Sequence, residues 1–271
     1  MSKVTYEVWA RWWSAKESPT ALGPRFIETL DELSHVAPVM NNWEVWNGRA
    51  SFLTLPKARL DMAKLVANGV RRGDDRRPDP DDGYSMVALG AEVERELRTS
   101  RSVDVSVSAG SIRTNEASIG FGGTTGAQDL ELMTYPLFRG AVEVLASTWP
   151  CPWVEAYAYT PNFPPLEPAT LPLHVDRRGP PQPREEYHFP WILYLSAPFA
   201  RGLKPSKDLL CEPTPGGGIM LSAVTGRLDP TDPEHVRRSR LLQAIIAERL
   251  PPEKPPRWSV MAAPDARLGP Y

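Results

Sequence analysis

The segment VDVSVSA, Val103–Ala109, carries the most regular strand pattern in the chain. Its four apolar residues alternate with Asp104, Ser106 and Ser108, which predicts a strand with one apolar face and one polar face. Residues 118–121 follow after a short connection, and we expect them to pair with this strand as a hairpin. Strands of this kind are typical of antiparallel sheets in which one face packs against the hydrophobic core and the other faces solvent.

Further strands are predicted on both sides of this hairpin. Alternation or a continuous apolar run predicts strands over residues 4–13, 85–89, 153–159 and 191–195. A second hairpin is predicted around the turn signal Pro215-Gly216-Gly217. In the first strand, Trp9 and Trp13 face away from Trp12, so both faces of that strand need cover.

The first helix is predicted directly after the first strand. Ser18 indicates an N-cap and Pro19 the first helical position. The helical face that follows consists of Leu22, Phe26, Leu30 and Leu33. Pro24 falls inside this helix, so we expect a kinked first turn or a later start.

The remaining helices complete an α+β pattern. They are predicted over 60–67, after Thr134, and after Thr231 and Glu234, which have the spacing of a capping box. The predicted fold class is therefore α+β, with a mainly antiparallel sheet or sheets and packing helices. Two similar halves are expected, an N-terminal half over 1–150 and a C-terminal half over 151–271 with a proline-rich arm at 160–190. One compact domain is the alternative.

The composition is that of a globular protein of ordinary charge. The 271 residues are 41% apolar and 24% charged, with a formal net charge of -2. Such a charge argues against non-specific binding to nucleic acid, which needs a basic surface. No segment approaches the ~20 apolar residues of a membrane span, and the first residues lack an apolar signal segment. We therefore expect a cytoplasmic protein with neither a membrane nor a nucleic acid as partner. Cys151 and Cys211 are too few for a disulfide framework and are expected to be buried thiols.

The sequence contains no pattern typical of a catalytic or metal site. It lacks the P-loop, the dinucleotide fingerprint and the Gly-x-Ser-x-Gly elbow. The four histidines, His35, His174, His188 and His235, are scattered singly, so paired zinc ligands are missing. We expect no metal, no cofactor and no enzymatic activity. The alternative is a small hydrolase or nuclease with a dispersed active site, which needs polar side chains clustered in a cleft.

Several motifs occur in an order that is similar to one known family. They are WARWWSAKES at 9–18, Leu30, Leu33, Trp43, NGVRRGDD at 68–75, GYSM at 83–86, residues 103–110, WILYLS at 191–196, PGGG at 215–218 and DPEH at 232–235. Their order and spacing resemble the immunity protein 52 family of bacterial polymorphic-toxin and type VI secretion systems. The proline-rich arm at 160–190 and the C-terminal tail depart from the family pattern.

The resemblance implies an inhibitor rather than a catalyst. Its partner would be a cognate nuclease toxin of the restriction-endonuclease-like kind, bound one-to-one and blocked in the producing cell. No catalytic residues are carried over with the resemblance, and the oligomeric state stays open.

Two groups of residues are candidates for the partner-binding surface, and the proline-rich arm at 160–190 is an alternative. A nuclease site is basic, so an acidic patch on an inhibitor would steer association and compete with phosphate. The acidic candidates are Asp74, Asp75, Asp79, Asp81, Asp82, Glu92, Glu94 and Glu96. The aromatic candidates are Trp43 and Trp46, because tryptophan is enriched at binding hot spots. The alternatives are a solvated loop for the acids and core packing for the tryptophans.

Overall fold

The computed structural model describes residues 4–13, 15–48, 51–73, 76–122, 128–160 and 187–249. Within these residues ten strands and six helices follow one another. The strands are β1 Thr5–Trp13, β2 Glu44–Trp46, β3 Phe52–Thr54, β4 Tyr84–Gly90, β5 Val103–Ala109, β6 Thr114–Phe121, β7 Trp153–Thr160, β8 Tyr187–Leu195, β9 Leu210–Pro213 and β10 Ile219–Ser222. The helices are α1 Pro19–Val36, α2 Leu55–Arg59, α3 Met62–Asn68, α4 Tyr135–Thr148, α5 Ala197–Ala200 and α6 Pro233–Arg249.

All ten described strands belong to one sheet, in the order β3-β2-β4-β5-β6-β1-β7-β8-β10-β9. Every neighbouring pair is antiparallel, so the α+β class with a mainly antiparallel sheet is confirmed. Strand β1 lies inside the sheet, where Val8 pairs with Ile119 of β6 and with Ala156 of β7. The described sheet therefore continues without a break from the expected N-terminal half into the C-terminal half.

One face of the sheet, here called the helix face, packs against α1, α3 and α4. Val8, Val105 and Ile119 point to this face and are fully buried. The predicted apolar face of α1 is buried as well, and the Ser18 Oγ accepts a hydrogen bond from the Ala21 amide at 3.3 Å as its N-cap. Pro24 lies inside α1 without ending the helix.

Helix α6 covers part of the opposite face. Its Leu242 and Ile245 cluster with Trp9, Trp153 and Leu193. Trp9 thus obtains the cover that its position in β1 requires. The α6 start differs from the capping-box prediction, because Asp232 is the residue whose carboxylate accepts hydrogen bonds from the Glu234 and His235 amides. An aspartate at this place satisfies two amides that the helix itself leaves free.

The Glu234 side chain, instead of reaching back along the chain, binds Arg237 and Arg238. The expectation of two buried thiols is half wrong: Cys151 is buried, whereas Cys211 is exposed on the edge strand β9, and both are free. Most of the proline-rich arm, residues 161–186, lies outside the described residues. Of the described helices, none combines the length and apolar character needed to cross a bilayer.

Candidate functional site

The acidic candidates are separated by the length of one strand. Asp79, Asp81 and Asp82 precede β4, and the group Glu92, Glu94 and Glu96 follows it. Seven residues of extended chain span about 20 Å, so these are two groups at opposite ends of β4 rather than one cluster. Asp74 and Asp75 lie outside the described residues.

The group before β4 is balanced by nearby cations. The Lys16 Nζ lies 2.6 Å from the Asp81 Oδ1, and the Arg113 Nη1 lies 3.5 Å from the Asp82 Oδ1. The Asp79 carboxylate accepts a hydrogen bond from the Asp81 amide at 3.0 Å. These acids are therefore partly neutralised within the chain before any partner arrives.

The group after β4 is less balanced. Glu96 lies 3.7 Å from Arg101, but Glu92 and Glu94 are exposed and have no ion-pair partner among the described residues. Val93, between them, is an exposed apolar residue. This end of the sheet is the better place for an acidic contact with a partner.

The two tryptophan candidates differ in position. Trp43 is only 4% exposed, and its indole Nε1 donates hydrogen bonds to the Leu30 carbonyl and the Ser34 hydroxyl, both at 3.0 Å. Its ring fills the space above Gly90, where an added Cβ would lie 2.6 Å from the ring. Trp43 thus packs in the core and offers no face to a partner. Trp46 is partly buried and pairs with Phe52 of β3.

Between the two acidic groups lies a sheet face that contains none of the residues predicted from the sequence to bind a partner. We call it the open face, and it is the part of β4, β5, β6 and β1 that lies opposite to the helix face and is not covered by α6. Its partly exposed side chains are Ser85, Val87, Asp104, Ser106, Glu116, Ser118 and Arg11, with Trp13 at one corner. The polar half of the Val103–Ala109 alternation was the sequence signal for this face.

The open face carries polar groups that are not used inside the protein. The hydroxyls of Ser85, Ser106 and Ser118 bond to no described residue, and these three serines lie side by side or diagonally on adjacent strands. The Asp104 carboxylate lies over Gly120, where an added Cβ would be 2.6 Å from its Oδ1. Burial raises the pKa of Asp104 to about 6, because no cation of the described chain stands near enough to offset the loss of water.

An aromatic group borders the open face. The Trp13 side chain is exposed (41% for the residue) and lies with its ring centroid 5.7 Å from Phe199 in a stacked arrangement. Trp153 meets it edge-on, also at 5.7 Å between centroids. These contacts hold the Trp13 ring in place while leaving one side of it accessible.

A polar cluster is buried where α6 meets β7 and β8. The Glu155 Oε1 lies 3.4 Å from the His188 Nε2, and the Tyr157 hydroxyl donates to the Glu7 Oε2 at 2.5 Å. The Gln243 side chain of α6 donates to the His188 carbonyl at 3.0 Å. Burial raises the pKa of Glu155 to about 8.

A surface cavity lies apart from this buried cluster. A cavity of about 360 Å³ opens between α6 and residues 202–209, where Leu203, Leu209, Leu241 and Ile245 line it. Among the described residues no three acidic, histidine or cysteine side chains stand close enough together to hold a metal.

No protein-family model matches the chain, and no curated protein sequence matches it significantly.

Proposed function

We propose that this protein is an immunity protein that binds and neutralises a cognate nuclease toxin without catalysing a reaction. The toxin would be a restriction-endonuclease-like effector of a type VI secretion or polymorphic-toxin system, as the motif order in the sequence suggests. The observation that carries the proposal is the open face, a polar sheet surface bounded at both ends of β4 by acidic residues.

Elementary electrostatics supports this assignment. A nuclease holds a polyanion, so the surface around its site is cationic. Carboxylates on the inhibitor accelerate encounter with such a surface and occupy the positions of phosphates. Asp104 is on the paired strand β5, so the sheet holds its carboxylate in a fixed position, which limits the ordering cost of binding.

Co-expression with the toxin domain encoded beside its gene tests the proposed function. We expect tight one-to-one binding of the purified pair, with Kd in the nanomolar range or below, roughly -12 kcal/mol, and loss of nuclease activity. Absence of both binding and growth rescue would rule out the immunity assignment and favour the alternative of an enzyme with a dispersed active site.

Charge reversal at Glu92 and Glu94 is expected to weaken toxin binding by about tenfold or more, mainly through slower association. Neither side chain forms an ion pair within the described chain, so the substitutions change only the contact with the toxin. Reversal at Asp81 and Asp82 should weaken binding less, since Lys16 and Arg113 already offset them. Association rates at two salt concentrations measure both effects.

The matched control for both reversals is Glu28→Lys with Glu32→Lys. These glutamates are exposed on α1, on the helix side of the sheet, and the double change alters the net charge by the same amount. Equal weakening by the control and by the Glu92 and Glu94 variant would show that only net charge matters and would remove the acidic contact.

A further inference from the structure

We propose that the open face is the surface on which the toxin docks, with Asp104 receiving an arginine or lysine side chain and Trp13 acting as the aromatic anchor. This inference rests on the proposed function and names the contact surface for it. The occupant is a cationic protein surface.

The middle of the open face carries small side chains. Ser85, Ser106 and Ser118 project small side chains from three adjacent strands. A partner's side chains can therefore approach the strands closely in the middle of the face. The serine hydroxyls, which have no partner among the described residues, offer both donors and acceptors to that partner.

Asp104 carries a negative charge on the open face. Its carboxylate has already lost much of its water in the free protein, and no described cation faces it from β4 or β6. A guanidinium or ammonium group of the toxin would form an ion pair with this carboxylate. Because the carboxylate is partly buried, water screens their attraction only weakly. Because part of the dehydration cost is incurred on folding, such a pair should contribute more than one between fully exposed groups.

Trp13 lies at the border of the open face, where it can anchor a partner. Trp13 is stacked on Phe199 and held at its edge by Trp153, so little side-chain freedom is lost when a partner covers it. Partly exposed tryptophans that are fixed in this way are typical of residues that dominate binding energy.

The charge of the open face distinguishes a second copy of this protein from a cationic partner. Asp104 lies within the face, and Glu92 and Glu94 lie beyond one end of β4, all without cationic partners in the described chain. A second copy of this protein would bring like charges together, which costs free energy. A cationic partner complements the same groups.

Three single substitutions test the docking surface against the purified toxin domain. Asp104→Asn keeps the side-chain size and removes the charge, and we expect affinity to fall about tenfold or more. Trp13→Ala should lower affinity by about 30-fold or more. Ser106→Tyr places a bulky ring in the centre of the face and should lower affinity at least as much, while tyrosine remains well suited to a strand.

Leu60→Ala is the control for Trp13→Ala, because Leu60 is an exposed apolar residue between α2 and α3. Circular dichroism and thermal unfolding verify that each variant is folded. Should Ser106→Tyr fail to fold, Asp104→Asn and Trp13→Ala still decide the question. Affinities unchanged from wild type in these two variants would overturn the docking surface and leave the immunity function standing. Failure of the wild-type protein to bind the toxin would overturn both.

Discussion

Trp191→Ala is expected to lower the free energy of unfolding by about 3–5 kcal/mol. Trp191 has no exposed surface, and its ring lies 4.9 Å from Phe138 and 6.0 Å from Tyr6 between centroids. The substitution would leave a large cavity between β8 and α4. It would also remove the hydrogen bond that the indole Nε1 donates to the Val224 carbonyl at 3.1 Å.

Trp191 occupies an irregular position in β8. Ala156 pairs with Ile192 and Tyr157 pairs with Pro190, so Trp191 is the extra residue of a β-bulge. The bulge turns the ring into the helix face, among aromatic residues that approach it from β1 and α4. Loss of the ring therefore removes contacts to several elements at once.

Urea unfolding of the wild type and of Trp191→Ala measures this effect directly. Leu60→Ala serves as the control, because Leu60 is 86% exposed and its removal should change stability by less than about 0.5 kcal/mol. A loss below about 1 kcal/mol for Trp191→Ala would contradict its central role in the core.

Glu155 is expected to make the protein less stable as pH rises from about 5 to 8. Burial raises the pKa of Glu155 to about 8 in the folded protein, whereas an unfolded glutamate releases its proton near pH ~4.3. Between these values the folded state holds a proton that the unfolded state has lost. Each pH unit in this window therefore lowers the free energy of unfolding, by up to about 1.4 kcal/mol.

The surroundings of Glu155 make ionisation unfavourable above that window. Its Oε1 has no hydrogen-bond partner among the described residues, although the His188 Nε2 is 3.4 Å away. Two titratable groups of the same cluster, Glu7 and Tyr157, add no positive charge. An ionised Glu155 would therefore stand in the interior without full compensation.

Glu155→Gln isolates this effect, because glutamine keeps the shape and cannot ionise. We expect the variant to lose the downward slope, so that its stability relative to wild type is higher at pH 8 than at pH 5. Thermal unfolding over this pH range measures both profiles, with Glu116→Gln on the open face as a control for removing a partly exposed carboxylate. Parallel profiles for wild type and Glu155→Gln would contradict the assignment of the slope to Glu155.

The sequence by itself determined the local elements and the faces they bury. Alternation in Val103–Ala109 and in the first strand fixed which side chains share a face, because successive residues of a strand point to opposite sides. Ser18 and the apolar spacing after it fixed the start and the buried face of α1. These features depend on neighbours a few residues apart, which the sequence displays directly.

Tertiary structure alone decided which surfaces lie together and which are covered. The acids before β4 met Lys16 and Arg113 from distant parts of the chain. Trp43 was buried, whereas Trp13 stayed exposed. Periodicity could identify the polar side of β5, but it could not show that β4, β5, β6 and β1 would be adjacent and would align those sides as one open face. Strand order is set by contacts between residues far apart in the chain, and such contacts produce no local sequence pattern. The candidate site depends on that order.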